Sequence, residues 1–489
     1  MRLVLEGKQM MSKETKDIVL SEEYIFGEGH KKYNVTTQRT VDEGKTTVKV
    51  MRALFYNGPV TGITIHNSNA YLSKLCEDGL LSGLVPDGKT AFGFLEELCH
   101  KGFSEKYPNV TEDVHARLAH ELEVINKKGM VGGFLIIYDL IEFARSNNLM
   151  ISPGCGALPG SLVAYCLGIT GVDPIKENLL FERYLNMGRE TPSYCIRIDV
   201  EKGAKPLIFG YLTEMYGSGM PKLLEMADIS IKEWVELSII KDTLEIISRS
   251  KRERIDIVRI DKTDPAVFEL LLSGETNGIL FFDKDDPHSY STWWHIDDNG
   301  KWHEYHEPLV AGNAALYEVI RPINMDELMA AVTLDRPLSE EHIGKCLRNI
   351  KNSQNITYEC PELETILSAT YGCVIYQEQI MRILQDLGGF SPEKSDLCRR
   401  DLSKRKQSTI GEMREEFVYG ATSSKIVGMD VANAIFDMLW DKARYSFNKS
   451  HVAAFSLMIY EMAWLKLYYR SEFMEAVEKY RGIKSDILP

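Results

Sequence analysis

The sequence predicts an α+β protein, and three patterns carry that prediction. Residues VTTQRTVDEGKTTVKVMRALFY, from Val35 to Tyr56, alternate as a two-residue period demands, with Glu43 and Gly44 at the turn of a hairpin. From Phe92 the apolar spacing lengthens to that of a helix. FGFLEELCHKGFSEKY, VHARLAHELEVINKKG and GFLIIYDLIEFARSNN each place their apolar residues on one helical face. From Met325 to Tyr480 the chain again reads as mainly helical, ending in AAFSLMIYEMAWLKLYYRSEFMEAVEKY, whose aromatic stripe is most simply core.

Between these stretches lie shorter elements. A Gly/Pro-rich turn, SPGCGALPGS (Ser152–Ser161), opens into an apolar helix, LVAYCLGIT. YCIRIDVE (Tyr194–Glu201) reads as a strand, and GYLTEMYG and IKEWVELSIIKDTLEIISRS follow it. Residues 283–320 differ from their neighbours: DKDDPHSYSTWWHIDDNGKWHEYHEP is polar and aromatic with two turn signals, and reads as an inserted hairpin. His295, His303 and His306, with Asp297 and Asp298, offer imidazole and carboxylate ligands suited to zinc. The plainer reading of that hairpin is a packing flap or partner surface, on which aromatic rings would stack on bases.

Composition bounds the function. At about 150 residues per domain, 489 residues allow roughly three domains. The 57 Lys+Arg against 71 Asp+Glu give a net charge of −14, with 44 % hydrophobic and 26 % charged residues. Those are ordinary globular values and exclude collagen-like, coiled-coil and disordered chains. They also exclude a globally basic nucleic-acid binder, while leaving room for a local basic groove on an acidic body. The 9 Cys include no CxxC pair, which reads as reduced thiols rather than a disulfide or zinc framework. No signal-peptide pattern opens the chain and no run of eighteen apolar residues occurs, so the expectation is a cytoplasmic protein with no membrane partner.

The turn at Ser152–Ser161 is chemically the richest stretch. Glycines let a backbone approach a ligand, and the N–H groups of a helix start favour an anion such as phosphate. Its spacing matches neither GxxxxGK[ST] nor GxGxxG. What surrounds it says more. ISPGCGALPGSLVAYCLGITGVDPIKENLLFERYLN resembles the palm motif of bacterial family C DNA polymerases, the alpha subunit of DNA polymerase III. ELETILSATYGCVIYQEQIMRILQDLGGFSPEKSDLCRRDLSKRK resembles the fingers of that family, and YSFNKSHVAAFSLMIYEMAWLKLYYRSEFMEAV its next fingers motif. HELEVINKKGMVGGFLIIYDLIEFAR and DPAVFELLLSGETNGILFF are weaker echoes, and all five blocks stand in the family's order.

This resemblance implies a palm like the DNA polymerase beta nucleotidyltransferase fold beside a mainly helical fingers region. It implies attack of a primer 3′-OH on the α-phosphate of a dNTP, through two Mg²⁺ ions held by three aspartates, with DNA and dNTP as partners. In the turn, Gly156, Gly160 and Ser161 remain as nucleotide-binding candidates, while Cys155 and Ala157 replace the family's Arg and first Ser. In the fingers, Arg399-Arg400-Asp401-Leu402-Ser403-Lys404-Arg405-Lys406 carries a local charge of about +4. Arg399, Arg400 and Lys404 would meet the triphosphate, where bidentate arginine contacts are strong. Asn448, Lys449, Ser450 and His451 would add nucleotide contacts, and Tyr376-Gln377-Glu378-Gln379 would brace the pocket.

The metal ligands depart from the family. Two aspartates should stand two apart on one strand, facing the same side. Asp199, the one catalytic and metal-ligand candidate retained, falls at the second place, and Arg197 stands at the first. A guanidinium stays charged, only donates hydrogen bonds and ligates no cation, so Arg197 is expected to pair with Asp199 instead. The third aspartate should begin a short strand before an apolar helix, for which VELSIIKDTLEII offers Leu237 or Ser238; Asp242, Glu201 and Glu236 are displaced alternatives. Only 39 positions separate Asp199 from Ser238, where the family places its thumb.

The expected organisation is a divergent α+β region over residues 1–90, a palm-like region over 91–250 lacking most of the thumb, and a fingers-like region over 251–489. Residues 1–90 do not resemble the family's polymerase-and-histidinol-phosphatase domain, and nothing after Val477 resembles its helix-hairpin-helix, clamp-binding or OB-fold regions. The expected function is therefore that of a reduced relative, of the kind a phage or mobile element encodes, degenerate in DNA-templated nucleotidyl transfer and using Mg²⁺ if active. The alternative is an inactive pseudo-polymerase that binds DNA, nucleotide or a replisome protein.

Overall fold

The fold is given by a computed structural model that describes residues 72, 75–189, 195–282, 320–335 and 340–481, with the backbone of strands inside 8–60 and 290–308. Five strands open the chain: β1 (Lys8–Met10), β2 (Asp17–Ser21), β3 (Asn34–Asp42), β4 (Lys45–Phe55) and β5 (Gly58–Val60), an antiparallel sheet in sequential order. The register pairs Asp42 with Lys45, leaving Glu43 and Gly44 between the strands as the hairpin pattern requires. Three helices follow where the apolar period changes: α1 (Ala91–Lys106), α2 (Glu112–Lys127) and α3 (Val131–Ser146). Thr90 starts α1 by accepting the Gly93 N–H at 3.0 Å.

The helix after the Gly/Pro turn, α4 (Leu162–Cys166), is shorter than LVAYCLGIT suggests. Gly168 takes a left-handed φ of +70°, and its carbonyl accepts from Arg145 Nη2 at 2.5 Å, which ends the helix early. Next come α5 (Phe181–Tyr184), β6 (Ile196–Glu201), α6 (Ala204–Tyr216), α7 (Met220–Met226), β7 (Ile229–Trp234), α8 (Val235–Lys251) and α9 (Pro265–Ser273), with β6 and β7 forming a two-stranded sheet. The inserted segment holds an antiparallel hairpin, β8 (Tyr290–Ile296) and β9 (Trp302–Pro308), in which His295 pairs with His303. The side chains of that hairpin, and so the zinc reading of its histidines and aspartates, lie outside the described residues. The rest is helical: α10 (Met325–Leu334), α11 (Glu340–Lys351), α12 (Pro361–Leu367), α13 (Gln377–Asp386), α14 (Pro392–Ser403), α15 (Gln407–Ser423), α16 (Met429–Lys442), α17 (Lys449–Tyr468) and α18 (Arg470–Arg481). No described helix is long and apolar enough to cross a membrane.

The chain divides into two interleaved units: residues 1–149, 162–169 and 189–233 form one, and residues 150–161, 170–188 and 234–489 the other. In the first, α1 meets the end of α4 so closely that a Cβ on Gly102 would fall 2.0 Å from the Cys166 carbonyl oxygen. The fully buried Glu121 on α2 serves the same corner. Its carboxylate accepts the Val163 N–H at 3.1 Å and Arg117 Nε at 3.0 Å, answering both a helix-start donor and a cation. On α3, one oxygen of Asp139 accepts the hydroxyls of Tyr211 and Tyr216, each at 2.7 Å, which fastens α6.

The second unit has two apolar centres. One surrounds α17 and draws in Leu237 and Ile240 from α8, Phe268 from α9, Leu328 from α10 and Phe473 from α18. The other gathers Leu363, Ile380, Leu384, Phe417 and Phe436 from α12, α13, α15 and α16. In the latter, α15 crosses the turn after α13 at Gly420, where a Cβ would sit 2.0 Å from the Gly388 carbonyl oxygen.

Two outcomes follow from this packing. Gly420→Ala is expected to lower unfolding stability by about 1–3 kcal/mol through overpacking, whereas Gly210→Ala, on the exposed face of α6 with nothing within 4 Å, should raise it by about 0.5–1 kcal/mol. Urea denaturation of both variants checks the pair. Glu461 on α17 is buried, which pushes its carboxyl up to about 7 against the opposing pull of Lys262. The folded chain then binds a proton that the unfolded chain has released, so stability falls as pH rises from the unfolded value toward 7. Glu461→Gln is expected to raise Tm at pH 8, to leave it unchanged at pH 5, and to flatten the profile between them.

Candidate functional site

In the second unit the Gly/Pro turn is stitched to the start of α17. Asn448 caps that helix by accepting the Ser450 N–H at 3.2 Å. One turn of helix then presents Ser450 and His451 to Gly156. The Gly156 N–H donates to His451 Nδ1 at 3.0 Å, and Ser450 Oγ lies 2.8 Å from the Gly156 carbonyl oxygen. With Nδ1 accepting a backbone proton, neutral His451 carries its own on Nε2. The ring is held edge-on between Phe447 and Phe455, with centroids at 5.5 and 4.4 Å. Cys155 Sγ approaches the same nitrogen at 3.7 Å, so the thiol that replaces the expected arginine packs against the histidine.

Lys449 reaches backward. Its Nζ donates to the Glu177 carbonyl oxygen at 2.8 Å, and its own N–H donates to Glu378 Oε2 at 2.9 Å. Glu378 is buried, and its other oxygen, Oε1, has no hydrogen-bond partner. The Glu177 carboxyl is pushed up by burial, with Lys449 opposing. Tyr376 and Phe447 form a parallel bridge: the Phe447 N–H donates to Ile375 O and the Gln377 N–H to Phe447 O, each at 2.7 Å. Gln379 Oε1 accepts the N–H groups of Ile375 and Tyr376 at 2.9 Å, and Arg183 Nε donates to Gln377 Oε1 at 2.6 Å. Residues 376–379 thus brace the approach to α17. Sequence reasoning singled out neither Glu177 nor Arg183, although both lie inside the palm-like block; their roles emerge only through their contacts.

The two glycines have different reasons to be glycine. Gly156 holds a φ of +65° with open space where a Cβ would stand. Gly160 presses on the Leu180 carbonyl oxygen, which a Cβ would approach to 2.9 Å, and Ser161 beside it is fully buried.

The basic run on α14 is partly committed inside the fold. Arg399 is 6 % exposed; its Nη2 pairs with the fully buried Asp396, while its Nε has no partner. Asn186 Nδ2 donates to the Glu393 carbonyl oxygen at 2.8 Å and lies 3.4 Å from Asp396, tying α14 to the segment after α5. Arg405 donates to the Trp440 carbonyl oxygen at 2.6 Å. Arg400 is half-buried, and Lys404 is exposed at the C-terminal end of α14.

In the first unit, β6 carries Asp199, buried at 2 % exposure. Arg197, two residues earlier, donates from Nε to Oδ1 at 2.6 Å and from Nη2 to Oδ2 at 2.8 Å. Both carboxylate oxygens are engaged in a bidentate fork. Glu201 is buried on the same strand. On the paired strand, Glu233 accepts the N–H groups of Gly203 at 2.9 Å and Lys205 at 3.0 Å, capping α6; sequence reasoning did not single it out.

The short strand expected to begin at Leu237 or Ser238, ahead of an apolar helix, is corrected. Those residues lie in α8, and the strand, β7, ends at Trp234. Leu237, Ile240, Thr243 and Ile247 are buried at helical spacing, which explains the outcome. Leu237 and Ser238 are thus first-turn helical residues in the second unit. The alternatives there are engaged as well: Asp242 pairs with Lys479, and the fully buried Glu236 with Arg481 at 2.6 Å.

The pattern of the bacterial DNA polymerase III alpha NTPase domain matches residues 93–247, and that of the alpha-subunit finger domain matches residues 236–290 and 311–425. The break in the second match falls on the β8–β9 hairpin. DNA polymerase III subunit alpha of Thermus aquaticus is 26 % identical over 89 % of this chain and 44 % of its own length. That of Borreliella burgdorferi is 27 % identical over 78 % and 41 %, and that of Staphylococcus epidermidis 25 % over 92 % and 50 %. The chain therefore spans about half, or somewhat less, of the length of these curated relatives. Its NTPase and finger matches and its relatives agree, and the chain belongs to the bacterial DNA polymerase III alpha-subunit family.

Proposed function

We propose that this chain acts in DNA replication in the cytoplasm as a divergent alpha-subunit homologue, with a palm of the DNA polymerase beta type over 91–250 and fingers over 251–489. In this reading it engages DNA and dNTP. The carrying observation is the joining of Gly156 to Ser450 and His451 within one unit, with Lys449 and residues 376–379 braced behind it. Gly156 meets Ser450 and His451, 294 and 295 positions away, where an unobstructed glycine leaves room for a ligand. Arg400 and Lys404 supply the positive charge that phosphates require, and Arg399 retains one unused donor.

The Arg197 fork on Asp199 favours the second reading, a pseudo-polymerase that binds without turnover or serves a replisome protein. Relatives of this family imply a divalent metal, Mg²⁺ for an active copy. Asp199 on β6 and Glu233 on β7 do not fit it, because Asp199 is occupied by a cation and Glu233 by two backbone donors.

Three measurements test these readings. Arg400→Ala with Lys404→Ala is expected to weaken binding of a primed duplex at least tenfold, with a shallower salt dependence, because phosphate contacts are lost. Affinity indifferent to those changes removes the DNA-binding reading. Arg399→Ala is the contrasting case: it strands the buried Asp396, and should cost about 3–5 kcal/mol of stability in urea unfolding. In primer extension, no dNTP incorporation is expected with Mg²⁺ or Mn²⁺. Incorporation that Asp199→Ala abolishes overturns the inactive reading.

A further inference from the structure

The fork on β6 implies more than a missing ligand. A buried carboxylate needs a counter-charge or donors for each oxygen. Asp199 has both from one side chain, with Nε and Nη2 at 2.6 and 2.8 Å. The arginine keeps 27 % of its side chain exposed while the aspartate keeps 2 %, so the guanidinium lies across the carboxylate on the more open side. The pair stands at positions i and i+2 of one strand, the spacing at which two side chains share a face. A divalent ion approaching Asp199 would have to displace this fork and then remain beside a charge that no working pH removes. The acid of the neighbouring strand offers no help, since Glu233 is held by the N–H groups at the start of α6.

We propose that Arg197 is the resident cation of this site. Its guanidinium neutralises Asp199 permanently, as a bound ion does in a loaded carboxylate site, and closes the position to Mg²⁺ and Mn²⁺. Asp199 is then kept for Arg197, and the arginine bars the metal from it. The inference rests on β6 and β7 and stands whether or not the chain binds DNA.

The test is Mn²⁺ binding by the full chain, counted by electron paramagnetic resonance and followed by Tm. The wild type is expected to show no Mn²⁺ site that Asp199→Asn removes. Arg197→Asp should unfold at a lower temperature in metal-free buffer, gain one submillimolar Mn²⁺ site, and recover Tm as Mn²⁺ is added; Asp199→Asn in that background should abolish the gain. Arg197→Gln should lose Tm without gaining the ion, and combining it with Asp199→Asn should cost less than the sum of the two. A wild-type Mn²⁺ site lost in Asp199→Asn overturns the proposal. So does folded Arg197→Asp that gains no site, or strict additivity of Arg197→Gln with Asp199→Asn. Should Arg197→Asp fail to fold, the wild-type comparison and the additivity measurement still decide.

Discussion

Burial of α17 is the constraint on which the second unit depends. From Val452 to Leu465 nearly every side chain is out of water, and even Lys466 is 3 % exposed, with its ammonium donating to the Asn277 carbonyl oxygen at 2.7 Å. A helix apolar all round has no face to give to solvent, so neighbours must enclose it. Enclosure fixes its rotation and its axial position together. The first turn then has no freedom of its own, and Ser450 and His451 meet Gly156 because the helix behind them cannot move aside.

Charge follows the same economy. A run that counts about +4 on paper loses much of that as an external field once the fold is formed, since Arg399 faces Asp396, Arg405 faces a carbonyl and an indole, and Lys406 lies 3.4 Å from Asp401. Arginines are suited to such internal duties because a planar fork satisfies several acceptors at once. What α14 offers outward is therefore concentrated at its C-terminal end, around Lys404.

Local periodicity made much of the fold legible. The β3–β4 hairpin, α1 to α3 and the core character of α17 all follow from spacing that one segment contains. The Arg197–Asp199 pair was legible for the same reason, being two residues apart on a strand. The short α4 was not, because its end depends on Gly168 and on an arginine 23 residues earlier. Nor was the start of α8, where a β-branched, apolar run fits a strand as well as a helix until its burial is known. The meeting of Gly156 with His451 has no local signature at all, and Cys155 beside it could be read only as an arginine lost. Of residues 1–60 the backbone pairing agrees with the alternating pattern, and the side chains lie outside the described residues.

The stitch between Gly156 and His451 also sets an order of events at the ribosome. The two residues are 295 positions apart, and the turn lacks these partners until the far one is made. At synthesis rates of about 5–20 residues per second, that interval is about 15–60 s. The nascent turn, and the apolar surfaces that await α17, must pass this time without their closing helix. A chain built this way completes its second unit only once α17 has been made, and its quality control is a matter of timing as much as of final stability.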